Sequence, residues 1–412
     1  MVPNGWEVKP LSSITKWSSG GTPSKNNPDY WSGEIPWISA ASMRGHYFNK
    51  SELKITDLAV SNGAKMAPKD SLLLLVRGSM LWNKIPVGIA ARRVSFNQDV
   101  KCLIPHADEL TTEFLLYWFL TYEHRLMNMV TGTGIGAGKL DTTDLQGLDV
   151  FLPPLAEQRK ISKILSAWDK AIATTEKLIE TSKQQKKALM QQLLTGKKRL
   201  VNPETGKVFE GEWDRYSMSD LVFIDRKSLG KKTPDDFEFQ YISLSDVDVG
   251  SISKELEVHK FASAPSRARR VIQIGDILLS TVRPNLKGFA KVTDKYADKI
   301  ASTGFSVLTP KSQVSSDYIY QYVFSAHITG QIDSLVVGSS YPAINSSDVS
   351  GLKVYCPTFE EQQKIASVLT ASDKEVEVLE AKLTHFKQEK KALMQQLLTG
   401  KRRVKVDDME VA

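Results

Sequence analysis

The chain has 412 residues, with 54 Lys or Arg against 47 Asp or Glu, a formal net charge of +7. At roughly 150 residues per domain this length implies two or three domains with sizeable cores, which excludes a single small module, and 41% hydrophobic with 25% charged residues is ordinary globular composition with a basic lean. The longest unbroken apolar run, residues 114–120, is far short of the roughly 18 to 20 residues that span a bilayer, which excludes an integral membrane protein.

In chain order, Met1-Val2-Pro3-Asn4-Gly5-Trp6-Glu7 lacks the basic start and apolar stretch of a signal peptide, so a cytoplasmic location is expected. The two cysteines, Cys102 and Cys356, fit that reducing compartment and are too few for a disulfide framework or a zinc cage. Strand-like runs at 35–38 and 71–76 lie between Gly, Asn, Pro and Ser loops, and a helix-like stretch covers 112–124. A glycine-rich segment at 131–140 resembles a phosphate loop but has Thr133 and Leu140 where a Walker loop needs Gly and Ser or Thr, so it reads as a flexible loop. Pro153-Pro154 then precedes a long helical pattern that ends at Gly196, followed by Lys197, Lys198 and Arg199 where a helix dipole favours cations. Strand-like runs return at 239–242 and 276–281, a helix-like stretch at 316–327, and a second long pattern runs from Pro357 to Gly400 with Lys401, Arg402 and Arg403 beyond it.

The second pattern repeats the first. The twelve residues from Lys186 to Lys197 recur letter for letter from Lys390 to Lys401, and the same displacement aligns Glu157-Gln158 with Glu361-Gln362 and Asp169-Lys170 with Asp373-Lys374. Upstream the match survives in outline: Trp6 meets Trp213, and Val76-Arg77 meets Val282-Arg283. The chain is therefore two tandem halves, divided as 1–152, 153–200, 201–356 and 357–412, with two α+β heads alternating with two helical segments. Positions 161, 165, 168, 172, 175, 179, 182, 186, 189 and 193 are apolar in seven of ten cases, and their repeats from 365 to 397 in eight of ten. Apolar residues at 3.5-residue spacing over five heptads predict two helices packed against each other as an intramolecular coiled coil, each about 55 to 60 Å long. The spacing leaves open whether they run parallel or antiparallel.

Motifs for catalysis are missing from the sequence. No His-Glu-x-x-His or Gly-x-Ser-x-Gly pattern occurs, and the only Pro-Pro, in Leu152-Pro153-Pro154-Leu155, lacks the Asn or Asp and the aromatic of an adenine methyltransferase tetrapeptide. No catalytic or metal-binding residue is assigned, and no cofactor of the chain's own. What remains is binding. Arg77, Lys84, Arg92 and Arg93 in the first head, and Arg267, Arg269, Arg270, Arg283 and Lys287 in the second, suit phosphate contacts and bidentate reading of guanine. Arg77 and Arg283 are more specific, because each leaves an apolar strand at a loop.

The chain resembles the specificity subunits of type I restriction-modification systems. The carriers are Pro153-Pro154-Leu155-Ala156-Glu157-Gln158-Arg159-Lys160-Ile161 and Thr358-Phe359-Glu360-Glu361-Gln362-Gln363-Lys364-Ile365, the shared Lys-Lys-Ala-Leu-Met-Gln-Gln-Leu-Leu-Thr-Gly-Lys, and the run from Gly275 through Arg283 to Pro284. Thr358 departs from the pattern where the first helix has its second proline. The resemblance implies two target recognition domains, each reading one half of a bipartite sequence in double-stranded DNA. Two antiparallel helices would set the spacing and dock two methyltransferase subunits, and through them restriction subunits. S-adenosylmethionine, ATP and Mg would belong to those partners. Antiparallel helices would hold the heads about 55 Å apart, roughly 16 base pairs. Gln184, Gln191, Gln192, Gln388, Gln395 and Gln396 are candidates for partner docking. Two other readings are a coiled-coil scaffold that joins two protein ligands without DNA, and a self-sufficient DNA methyltransferase or nuclease.

Overall fold

The computed structural model describes residues 2–134, 136–336 and 342–406. Met1, Ile135, residues 337–341 and residues 407–412, the last part of the expected segment 357–412, fall outside that set. Among the described residues no helix is long and apolar enough to cross a membrane.

The first head is built around Leu72–Leu75, a run with no polar residue and no exposed side chain. Such a run suits a strand covered on both faces. It is the middle strand of a five-stranded sheet ordered Thr15–Ser19, Val100–Pro105, Leu72–Leu75, Val87–Ala90 and Tyr47–Phe48. A second sheet of Lys54–Ile55, Trp31–Ile38, Val94–Phe96 and Met66–Ala67 adjoins it, with Trp31–Ile38 and Val94–Phe96 paired parallel. The second head repeats the plan on Ile277–Ser280, which is flanked by Phe305–Pro310 and Phe289–Lys291. Its second sheet pairs Glu238–Ile242 parallel with Ile300–Ser302. Helices and mixed sheets within each head make the α+β class expected from the sequence.

The helix-like stretches are shorter than their apolar content suggests. Thr112–Thr121 stops at Tyr122, whose φ of −96° and ψ of 12° are not helical, and Glu123–Met127 follows as a separate turn. Ser316–Val323 likewise ends at Phe324, and Ser325 starts a new helix, Ala326–Leu335, by accepting a hydrogen bond from the Ile328 amide. Polar residues stand at both breaks, Glu123, His124 and Arg125 after Tyr122 and the N-cap Ser325 after Phe324.

The long helices are Leu155–Leu193 and Phe359–Leu397, each of 39 residues and so about 58 Å long. Gly196 and Gly400 close them with φ of +69° and +68°, a left-handed conformation that glycine adopts without penalty. All twenty positions of the 4-3 stripe are buried or half-buried. The first residues of each helix also pin it to a head. Gln158 accepts a hydrogen bond from the Thr111 amide at 2.9 Å and donates to the carbonyls of Glu109 and Pro153. Gln362 does the same with Ser315, Gln313 and Pro357.

The compact units cut across the four expected segments. One comprises residues 1–176 with 381–412, the other residues 177–380. The division falls inside the helices because they pair antiparallel, so each unit holds the start of one helix and the end of the other. In the first unit Arg403 pairs with Glu157, Lys390 with Asp169 and Lys387 with Glu176, while Trp168 meets Phe386 edge to face with 5.5 Å between ring centroids. In the second unit the repeats of these ion pairs are Arg199 with Glu361, Lys186 with Asp373 and Lys183 with Glu380. Partner numbers fall as helix numbers rise, which fixes the antiparallel sense in each unit.

Both cysteines are buried. Burial raises the Cys102 thiol above its ordinary value and pushes Cys356 up to about 12. Because the thiolate is the nucleophile, iodoacetamide at pH 8 is expected to label neither in the native chain and both after unfolding in urea. Mass spectrometry of the labelled peptides checks this, and native labelling at Cys356 would contradict the packing of its strand.

Candidate nucleic-acid interface

In the first head the buried strand Leu72–Leu75 runs through Val76 to an exposed Arg77. Arg77–Gly78 forms a short strand against Gly138–Lys139, with Arg77 opposite Lys139, and a 3-10 turn, Ser79–Trp82, follows. The glycine-rich segment is thus a hairpin, Thr131–Gly132 against Gly138–Lys139, where the sequence suggests only a loop. Its glycines have a steric reason. A Cβ on Gly138 would stand 2.7 Å from Val130 Cγ1 and 3.1 Å from Leu81 Cβ, while Gly134 and Gly136 have φ of +80° and +81°. The indole N–H of Trp82 donates to the Gly136 carbonyl at 3.1 Å and ties the hairpin over the turn. Lys84, exposed, stands just past the turn. Val76 donates its amide to the Asp99 carbonyl, and neighbouring Gln98 accepts from Thr22 Oγ1 at 2.7 Å, so four chain segments converge at this end of the sheet.

The second head has the same construction from different residues. Ile277–Ser280 runs out to an exposed Arg283, and a 3-10 turn, Pro284–Leu286, follows it. Here the returning chain bridges Val282 to Ala343, and Arg283 donates its amide to the Pro342 carbonyl at 2.7 Å. In the first head the positive φ falls on Gly78, at +147°; in the second it falls on Arg283 and Lys287, at +49° and +53°. Left-handed backbone at non-glycine residues costs of order 1 kcal/mol or more and gathers where a side chain must be aimed. Arg267 joins this end, because its carbonyl accepts from the Thr303 amide and the adjacent Gly304 carbonyl accepts from Thr281.

A family described as the type I restriction modification DNA specificity domain matches residues 3–184 and 211–387, most of the chain and one stretch in each half. The chain belongs to this family. Over 426 aligned positions it is 26% identical to the type I restriction enzyme MjaVIII specificity subunit of Methanocaldococcus jannaschii, covering 98% of this chain and 94% of that one. It is 32% identical over 165 residues to the EcoR124I/EcoR124II specificity subunit of Escherichia coli, covering 40% of this chain and 41% of the relative. In fold it is similar to the crystal structure of a type I restriction-modification S subunit from M. genitalium, with a TM-score of 0.59 at 16% identity over 96% of this chain and 97% of that one.

Within the two specificity domains, the basic residues that cluster in sequence divide in space. Arg77 and Lys84 share one end of the hairpin formed by Leu72–Leu75 and Val87–Ala90, whereas Arg92 and Arg93 leave its opposite end, where the Asp70 amide donates to the Ala90 carbonyl. That end borders the start of helix Thr112–Thr121, whose Thr112 hydroxyl donates to the Asp70 carbonyl. In the second domain Arg270 is engaged internally. Its guanidinium meets Asp225 at 2.7 Å, both groups are largely buried, and Ser346 also donates to that carboxylate. Arg269 turns back on its own chain, bonding the carbonyls of Pro265 and Ala268 and covering the Phe261 ring at 4.6 Å. By contrast, Arg77, Lys84, Arg92, Arg93, Arg267 and Lys287 make no side-chain hydrogen bond or ion pair among the described residues.

Lys287 also lines an open cleft of about 750 Å³ with Lys187, Lys197 and Gln191, so the basic surface of the second domain continues onto the end of the first long helix. Gln184, Gln191, Gln192, Gln388, Gln395 and Gln396 are all exposed on the long helices, away from the buried stripe. Glu157 and Glu361 are functional-looking residues that the motif search misses. Each is buried and receives a two-point ion pair from the arginine after the other helix, stacked near Trp6 or Trp213. The repeat itself carries that signal, since glutamate, arginine and tryptophan all recur in both halves.

Proposed function

We propose that this chain is the DNA sequence-specificity subunit of a type I restriction-modification complex, with each specificity domain reading one half of a split target in double-stranded DNA. One observation carries the reading: in two domains of divergent sequence, an exposed arginine leaves the central buried strand, pairs its backbone with a returning segment and enters a 3-10 turn. A side chain carried on a rigid strand end can enter a groove without the cost of ordering a loop. Basic residues around it suit the phosphate contacts that fix register. In this reading the antiparallel helices set the spacing between half-sites, and their outward glutamines dock two methyltransferase subunits, which in turn recruit restriction subunits. The chain contributes placement and no catalysis or cofactor of its own. S-adenosylmethionine, ATP and Mg serve the partners, and the methyltransferase flips the target adenine from the duplex.

The test is to co-express the chain with the methyltransferase subunits of its host and to map methylated adenines with and without its gene. One split motif should appear and vanish with the gene. The purified complex should prefer that duplex over random sequence by about a thousandfold or more at physiological salt. Equal affinity for every duplex would overturn the reading.

A further inference from the structure

The arginine turns carry a second feature, independent of charge. Each 3-10 turn ends on a large apolar residue held out in solvent: Trp82, 48% exposed, and Leu286, 63% exposed. A cation follows each at once or nearly so, Lys84 in the first domain and Lys287 in the second. The two residues differ in type, but each closes the 3-10 turn that follows its domain's strand-end arginine. Neither offers a free donor. The indole N–H of Trp82 is taken by the Gly136 carbonyl, and leucine has none, so both present only carbon.

We propose that Trp82 and Leu286 are apolar reading residues, each of which contacts a thymine methyl group in the half-site served by its domain. The inference rests on the DNA-reading function proposed above. In the major groove the thymine C5-methyl is the apolar feature among the donors and acceptors of the base edges, and apolar side chains recognise it. An arginine and an apolar probe a few residues apart would thus read two kinds of base from one turn. A half-site that holds a methylated adenine contains at least one A·T pair for the second probe to meet. The hydrogen bond to Gly136 gives Trp82 a fixed orientation, which lowers the entropy lost on contact.

The experiment uses the complex of this chain with its methyltransferase subunits and duplexes in which each thymine of the target is replaced singly by deoxyuridine, which removes only the methyl group. In the unsubstituted complex at least one replacement in each half-site should weaken binding by about fourfold, the worth of one buried methyl-sized group. That sensitivity should disappear in one half-site with Trp82→Ala and in the other with Leu286→Ala, while the deoxyuridine pattern of the untouched half-site stays as it was. Trp82→Phe, which loses the bond to Gly136 but keeps an apolar ring, should retain the methyl dependence and separates base contact from hairpin anchoring. If Trp82→Ala and Leu286→Ala leave every deoxyuridine effect unchanged, or weaken random and target duplexes alike, the inference is overturned. Discrimination of target from random duplex by the unsubstituted complex is the separate readout for the DNA-reading function, so the two can fail independently.

Discussion

Arg199→Ala is expected to lower the stability of the second unit by about 3 kcal/mol or more, the cost of leaving a buried charge without its partner. Glu361 has no exposed surface, and the Arg199 guanidinium supplies both of its hydrogen bonds, at 2.7 and 2.6 Å, while a third joins Arg199 to the Gly211 carbonyl. The indole nitrogen of nearby Trp213 is buried without a partner, so among the described residues no second side-chain donor reaches this carboxylate. Glu157 in the first unit differs: it keeps a 3.1 Å bond from Trp6 in addition to Arg403, whose side chain is 43% exposed. Arg403→Ala is therefore expected to cost less than Arg199→Ala, because one donor remains and water can reach the site. Hydrogen exchange of the segments around residues 199–217 and 359–369, compared with their repeats in the first unit, measures both. Equal protection loss in the two variants would show that the tryptophan bond contributes nothing.

The same contacts explain how much of the molecule is legible in its sequence. The helix pair is legible because its signal is periodic and local: an apolar residue every three or four positions, kept over five heptads in both halves. Antiparallel pairing is not, since it depends on which of two helix ends meets Glu157, and Arg403 lies 246 positions away. Arg77 and Arg283 are legible as charged residues that end an apolar run. Their grouping with Arg92, Arg93, Arg269 and Arg270 misleads, because nearness in sequence says nothing about which end of a hairpin a residue leaves. Arg270 shows the cost of that assumption most directly, for its partner Asp225 is 45 positions upstream at a residue with φ of +55°. The helix breaks do leave local marks that apolar content alone passes over, since Glu123, His124 and Arg125 follow Tyr122 and Ser325 follows Phe324 as the N-cap of the next helix.

Arg77→Ala should abolish discrimination at one half-site and leave the other intact, and Arg283→Ala should do the converse. A bidentate contact to a base is worth about 1 to 3 kcal/mol of discrimination, so binding to the cognate duplex should fall roughly five- to 150-fold while binding to a duplex altered at that base changes little. The two effects should add in the double variant, because the arginines lie in separate compact units and sites that share no partner act independently. Lys84→Ala offers the contrast: removing a phosphate contact should weaken binding to all duplexes alike and reduce the salt slope by about one. Competition binding at stated salt separates these outcomes. Uniform weakening by Arg77→Ala and Arg283→Ala, random duplexes included, would move both arginines to the phosphate class. Arg283 allows one further separation, because its backbone is left-handed at φ +49°. Arg283→Gly removes the side chain and relieves the backbone at the same position, so it should lose specificity as fully as alanine while being more stable than the alanine variant. Arg283→Lys keeps the charge but not the planar fork, and it should restore general affinity without restoring the choice of base.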